Sequence, residues 1–72
     1  MDKFLLMKAM HANNETQSDL AAAMGISRGQ LNNKINCRHR QEFTHAEMDF
    51  IRKRYSMNDS DFMACFFAKN VS

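Results

Sequence analysis

The sequence predicts an all-α fold, a compact domain of five short helices. Three observations carry this. Helix-start signals recur along the chain: Thr16-x-x-Asp19, Ser27-x-x-Gln30, Thr44-x-x-Glu47 and Asn58-x-x-Asp61, each directly before an apolar residue. In such a box the first side chain accepts a bond from a free backbone N–H, and the fourth reaches back to the first residue's N–H. Apolar residues recur at helical spacing, while the strict alternation of a half-buried strand is scarce. Finally, 72 residues hold no proline and only two glycines, Gly25 and Gly29, so little interrupts a helix. The length permits one domain, residues 1–72, near the limit at which a single core suffices.

The first helix is expected over about 2–13, with Leu5, Met7, Ala9 and Met10 as its apolar surface. The Thr16 box starts the second, about 17–24, and the Ser27 box the third, about 28–36. The Thr44 box starts the fourth, about 45–55, which places Met48, Ile51 and Tyr55 on one face. The Asn58 box starts the fifth, about 59–68, with Phe62, Cys65 and Phe66 on one face. Ile26, Phe43 and Met57 precede the last three caps, where an apolar residue packs back onto the helix as a staple.

Only Gly25-Ile26-Ser27 separates the second and third helices. Gly25 stands where a helix ends in a left-handed residue, and Ser27 caps the third helix. Two short helices on a tight turn form a helix-turn-helix. Leu20, Ala21, Met24, Ile26, Leu31 and Ile35 can face one core. The outward residues of the third helix are then Arg28, Gly29, Gln30, Asn32, Asn33 and Lys34, with no acid among them. Amides and cations are the side chains that donate to base edges and phosphates.

Net charge is only +2, but it is concentrated. Residues 1–24 sum to −1, residues 25–55 to +4 and residues 56–72 to −1. An anionic partner would meet the middle of the chain. Arg28 suits a bidentate pair with guanine and Asn33 a pair with adenine. Lys34, Arg38 and Arg40 suit phosphate contacts, and Gln17 stands where a helix N-terminus favours one. The Arg52-Lys53-Arg54 run reads either as a backbone contact or as the wet face of the fourth helix.

At this point the chain resembles the lambdoid phage Cro and repressor proteins, within the wider Xre-like group of helix-turn-helix regulators. The likeness rests on Gln17, Leu20-Ala21, Gly25-Ile26-Ser27, Leu31 and Lys34-Ile35-Asn36. It continues through Phe43-Thr44, Glu47-Met48, Ile51 and Phe66-Phe67, so it covers about residues 5–67. The resemblance implies a lambda repressor-like DNA-binding domain that sets its third helix in the major groove of a double-stranded operator. By position, Arg28, Gly29 and Asn33 fall where that family reads bases. Gln17 and Asn36 fall where it meets phosphate. Two departures stand out. Gly29 offers no side chain, so Arg28, Gln30, Asn32 and Asn33 must carry the readout. Cys37 replaces the glycine that commonly follows Asn36, which puts the exit from the third helix in question, although Asn36 can itself turn left-handed. With Ser27, Lys34, Arg38 and Arg40 added to Gln17 and Asn36, the expected phosphate contacts number six residues.

The implied protein is a cytoplasmic regulator in a bacterial host. It binds a near-palindromic operator as a homodimer, its recognition helices about 34 Å apart, and represses by occluding polymerase. Three phenylalanines within residues 62–67 exceed what one face of a short helix buries, so Phe66 and Phe67 are the candidate dimer contacts. Other classes have less behind them. No apolar run approaches the roughly 18 residues of a membrane span. The N-terminus lacks the basic lead-in and small-residue cleavage site of a secretory leader. Cys37, His39, His45 and Cys65 match no zinc-finger spacing, and two cysteines without a CxxC pair read as free thiols. No nucleophile–base pair or glycine-rich phosphate loop is recognisable, so neither an enzyme, a cofactor nor a small-molecule substrate is expected. The alternative is a protein-interaction module, an antirepressor or adaptor built on the same fold.

Overall fold

The computed structural model describes residues 1–67, and all five expected helices are present in them. They are α1 (Lys3–Ala12), α2 (Gln17–Met24), α3 (Arg28–Ile35), α4 (His45–Arg54) and α5 (Asp59–Phe66). A single tight turn, Arg38–Arg40, lies between α3 and α4 and has no signal in the sequence. The fifth helix was expected to reach Ala68, which lies outside the described residues. No helix among the described residues is long and apolar enough to cross a membrane.

Local chemistry sets the helix starts. Thr16, Ser27 and Thr44 hold extended backbone and accept from the amides of Asp19, Gln30 and Glu47. In each case the third helical residue returns the bond, closing a full capping box. Asn58 accepts from the Asp61 amide at 2.7 Å, without the return bond. Asp2 caps α1 by accepting from the amides of Phe4 and Leu5. Each such cap contributes about 1 kcal/mol, which counts for much in helices of eight to ten residues.

Gly25 ends α2 at φ +73°, ψ 27°, in the left-handed region that glycine enters without a Cβ clash. Ile26 comes next, packed against the core, and its amide donates to the Ala21 carbonyl at 3.0 Å. At the end of α3 the left-handed residue is Cys37, at φ +52°, while Asn36 stays near helical at φ −94°. The left-handed turn expected at Asn36 therefore falls one residue later, at the position a glycine favours. His39 and Arg40 are left-handed too, at φ +54° and +59°.

The core draws on every helix: Leu6 and Met10 from α1, Leu20 and Ala21 from α2, Leu31 and Ile35 from α3, Ile51 from α4, and Cys65 and Phe66 from α5. Phe43 and Tyr55 close it from the ends of α4. Met24, Ile26, Met48 and Phe62 pack against this centre while partly exposed. The expected face of α1 needs correction. Leu6 is fully buried, whereas Met7 lies on the surface. Leu6 and Met10 are four apart and stack on one face, and Met7 is turned about 100° from Leu6.

The phenylalanines also separate. Phe66 is only 7% exposed, edge-on to Phe43 with ring centres 5.8 Å apart. It belongs to the core and has little surface left for a second subunit, which corrects its expected place in a dimer contact. Phe67 is 45% exposed and leans on the Phe62 ring, centres 5.7 Å apart.

Candidate nucleic-acid interface

α3 turns about 100° per residue, so Leu31 and Ile35 share its core side and Gly29 and Asn33 lie opposite. Asn32 and Asn36 flank that outward face on one side, Gln30 and Lys34 on the other. Hydrogen bonds bear out this division. Asn32 Nδ2 donates to Gln17 Oε1 of α2 at 3.4 Å, and Asn36 Nδ2 donates to the Asn32 carbonyl at 3.0 Å. Lys34 turns the other way. Its ammonium meets Glu47 of α4 at 3.0 Å and the Glu42 carbonyl at 3.3 Å.

Several expected contacts are therefore partly or wholly engaged within the chain. Lys34 is the clearest correction. Its side chain is only 17% exposed and its charge is matched by Glu47, so it ties α3 to α4 and is not free for a phosphate as the sequence reading expects. Ser27 Oγ accepts from the Gln30 amide, and Gln30 Oε1 accepts from the Ser27 amide. Those two retain the Ser27 hydroxyl hydrogen and the Gln30 NH₂ group for an outside acceptor. Gln17 and Asn32 hold each other across the α2–α3 angle and remain half-exposed.

Arg28, Arg38 and Arg40 remain exposed, each without a carboxylate within ion-pair distance among the described residues. Arg28 occupies the first position of α3, where the helix dipole and free N–H groups add positive potential. Gly29 comes next, with open space around it. A Cβ built there meets only Ser27 Oγ, at 3.9 Å. Asn33 is half-buried, and its amide makes no hydrogen bond among the described residues.

The structure resolves the Arg52-Lys53-Arg54 run. Arg52 meets Asp59 at the start of α5, and Lys53 meets Asp49 one turn back at 2.9 Å. Arg54 Nε meets Glu15, before α2, at 2.8 Å. The Arg54 guanidinium holds the Glu15 carboxyl below its ordinary value, and Glu15 in turn raises Arg54. These three cations also stand at the C-terminal end of α4, where the dipole favours them. They are the solvated, ion-paired end of a helix. Near the start of α2 a second carboxylate is also occupied. The Thr16 amide and hydroxyl hold the Asp19 carboxyl below its ordinary value.

Sequence reading missed Lys3, whose Nζ reaches Asn36 Oδ1 at 3.2 Å. No local signal relates residue 3 to residue 36; only the docking of α1 does. Among the described residues no three His, Cys, Asp or Glu side chains stand close enough together to hold a metal ion. Cys37 is exposed and Cys65 buried, both as free thiols, and burial pushes the Cys65 thiol up to about 11. Compared with known proteins, the chain matches no family model, no curated protein and no solved structure.

Proposed function

We propose that the protein is a sequence-specific double-stranded DNA-binding regulator of Cro or repressor type. In this reading α2 and α3 act as a helix-turn-helix and α3 enters the major groove. Arg28 and Asn33 read bases, and Gln30 and Asn32 contribute the N–H donors their internal bonds leave over. Gly29 lets the backbone approach closely. Gln17, Asn36, Arg38 and Arg40 hold the phosphates on either side. A second copy binds the other half of a near-palindromic operator, with Phe67 and the exposed Met63, four residues before it, as the apolar contact. Occupancy of a promoter then represses by exclusion.

One observation carries the reading. The cations of α4, and Lys34 beside it, each face a carboxylate, whereas Arg28, Arg38 and Arg40 face none among the described residues. Of the five lysine and arginine cations without a carboxylate partner among the described residues, three are therefore on α3 and the turn after it, beside polar amides, and Lys3 and Lys8 are on α1. A solvated helix face would mix in acids, as α4 does.

The test is selection of the purified protein on a random-sequence duplex pool at moderate salt. Enrichment of a two-fold-symmetric motif is expected, with affinity falling steeply as salt rises. A pool that stays random, with feeble binding at every salt concentration, overturns the proposal. It would make the outward face of α3 a docking surface for a protein instead.

A further inference from the structure

We infer that α1 belongs to the same interface, and that Lys3 contacts a DNA phosphate while holding Asn36 in place. The inference rests on the DNA-binding reading above and extends it to a helix outside α2 and α3.

Two constraints fix the start of α1. The Asp2 carboxylate caps it, and the Asp2 amide donates to the Cys65 carbonyl of α5 at 2.7 Å. Leu6, one turn on, is fully buried. Lys3 between them therefore projects from a rigid base. Its ammonium donates to Asn36 Oδ1 at 3.2 Å and lies 5.7 Å from the centre of the Phe4 ring. An ammonium has three donors, so two remain for another acceptor. No carboxylate lies within ion-pair distance of it among the described residues.

From Lys3 a chain of polar contacts runs through Asn36 and Asn32 to Gln17. It joins α1, the end of α3 and the start of α2. Gln17 and Asn36, assigned above to phosphates, belong to that chain, and Lys3 carries its only charge. A lysine ammonium is a compact point charge suited to a phosphate oxygen. Phe4 adds to the site, for its ring is 73% exposed and covers one side of the ammonium. This limits the water that a phosphate must displace.

The experiment compares the whole chain with its Lys3→Gln, Lys3→Arg and Lys8→Gln variants. Binding is measured by fluorescence anisotropy to the duplex enriched from the random pool and to a scrambled duplex. Lys8 is an exposed cation on the side of α1 that faces α5, beside Tyr55 and Asp61, so it controls for net charge. Lys3→Gln is expected to weaken binding to both duplexes by the same factor. A bound dimer loses two such contacts, so its salt slope should fall by about 1.8 and its deficit against wild type shrinks about 12-fold between about 50 and 200 mM salt. Lys3→Arg should keep the slope, Lys8→Gln should leave it unchanged, and all variants should melt with the wild type. An unchanged slope in Lys3→Gln, with wild-type binding intact, overturns the inference alone. So does an equal loss in Lys8→Gln. Wild-type protein without salt-sensitive duplex binding overturns the DNA-binding reading itself, and the role of Lys3 with it.

Discussion

Replacing Gly29 with alanine should make the protein more stable and a weaker DNA binder. Gly29 is the second residue of α3, and its backbone is helical. A Cβ there meets only Ser27 Oγ, at 3.9 Å, which is ordinary contact. Alanine therefore fits without strain, and it narrows the conformations of the unfolded chain. The gain for a helical glycine is about 0.5–1 kcal/mol. For a domain of this size that raises Tm by roughly 2–8 °C, read by circular dichroism on heating. Binding should move the other way. If α3 enters the groove by its first turn, the added methyl stands where bare backbone meets DNA. Crowding at a close contact costs on the order of 1–3 kcal/mol. The methyl occurs once in each subunit of an operator-bound dimer, so the cost is at least about 2 kcal/mol and affinity should drop at least about thirtyfold. Anisotropy on the enriched duplex measures this. A more stable variant that binds as well as wild type would show that this turn is not pressed against DNA. A less stable variant would refute the placement of residue 29 itself.

Arg28→Ala should relax preference at one operator position by about 1–3 kcal/mol and leave the melting temperature alone; equal loss on every sequence, seen by repeating the pool selection, would mean a phosphate contact instead. Phe67→Ser should lower self-association in sedimentation without unfolding the monomer, since the ring is already 45% exposed; a wild type that stays monomeric on DNA removes the proposed contact. Cys37→Gly should stabilise by about 1 kcal/mol, because φ at this position is +52° and a side chain there is strained; urea unfolding decides, and a loss would mean that the Cys37 side chain contributes packing larger than the strain. Glu47 supplies a test by pH. Partial burial pushes its carboxyl up, but the Thr44 amide and the Lys34 ammonium together hold it below the ordinary 4.5. A depressed carboxyl lends its full stability above pH 4.5 and loses it as pH falls below that value through the lower folded pKa. Glu47→Gln should therefore flatten the acid side of the stability curve; an acid limb as steep as wild type would show that the Lys34–Glu47 contact is not made in solution.

The features legible in the sequence are those set within a few residues. A capping box spans four positions, so Thr16, Ser27 and Thr44 announce their helices directly. Gly25 is legible for the same reason. Asp2 is not, because a cap whose third helical residue is Leu5 has no return bond to reveal it. The phase of α1 is hidden where Leu5, Leu6 and Met7 are all apolar, since a continuous run does not say which of three faces turns inward. The candidate site is legible as a type of surface but not as a set of free groups. Lys34 meets Glu47 over 13 residues, Lys3 meets Asn36 over 33 and Arg54 meets Glu15 over 39. Arg40 and Arg54 look alike in a sequence, and only helix docking separates the exposed cation from the neutralised one.

That separation bears on how so modest a net charge can serve a polyanion. Of the four ion pairs of α4 and its neighbours, the Lys34–Glu47 pair is partly buried and the others lie at the surface, where such pairs add little to the fold. Their larger effect is on the field. Glu15, Glu47, Asp49 and Asp59 each pair with a cation, Asp2 and Asp19 bond in helix caps, and Glu42 and Asp61 stand exposed without an ion pair among the described residues. Lys3, Lys8, Arg28, Arg38 and Arg40 have no carboxylate within ion-pair distance among the described residues, and all but Lys8 lie on α3, on the Arg38–Arg40 turn or, as Lys3 does, against the end of α3. On the proposed DNA-binding reading, a phosphate backbone would meet these unpaired cations in preference to the ion-paired ones of α4. On that reading the same pairs would help to orient the molecule before any base is read.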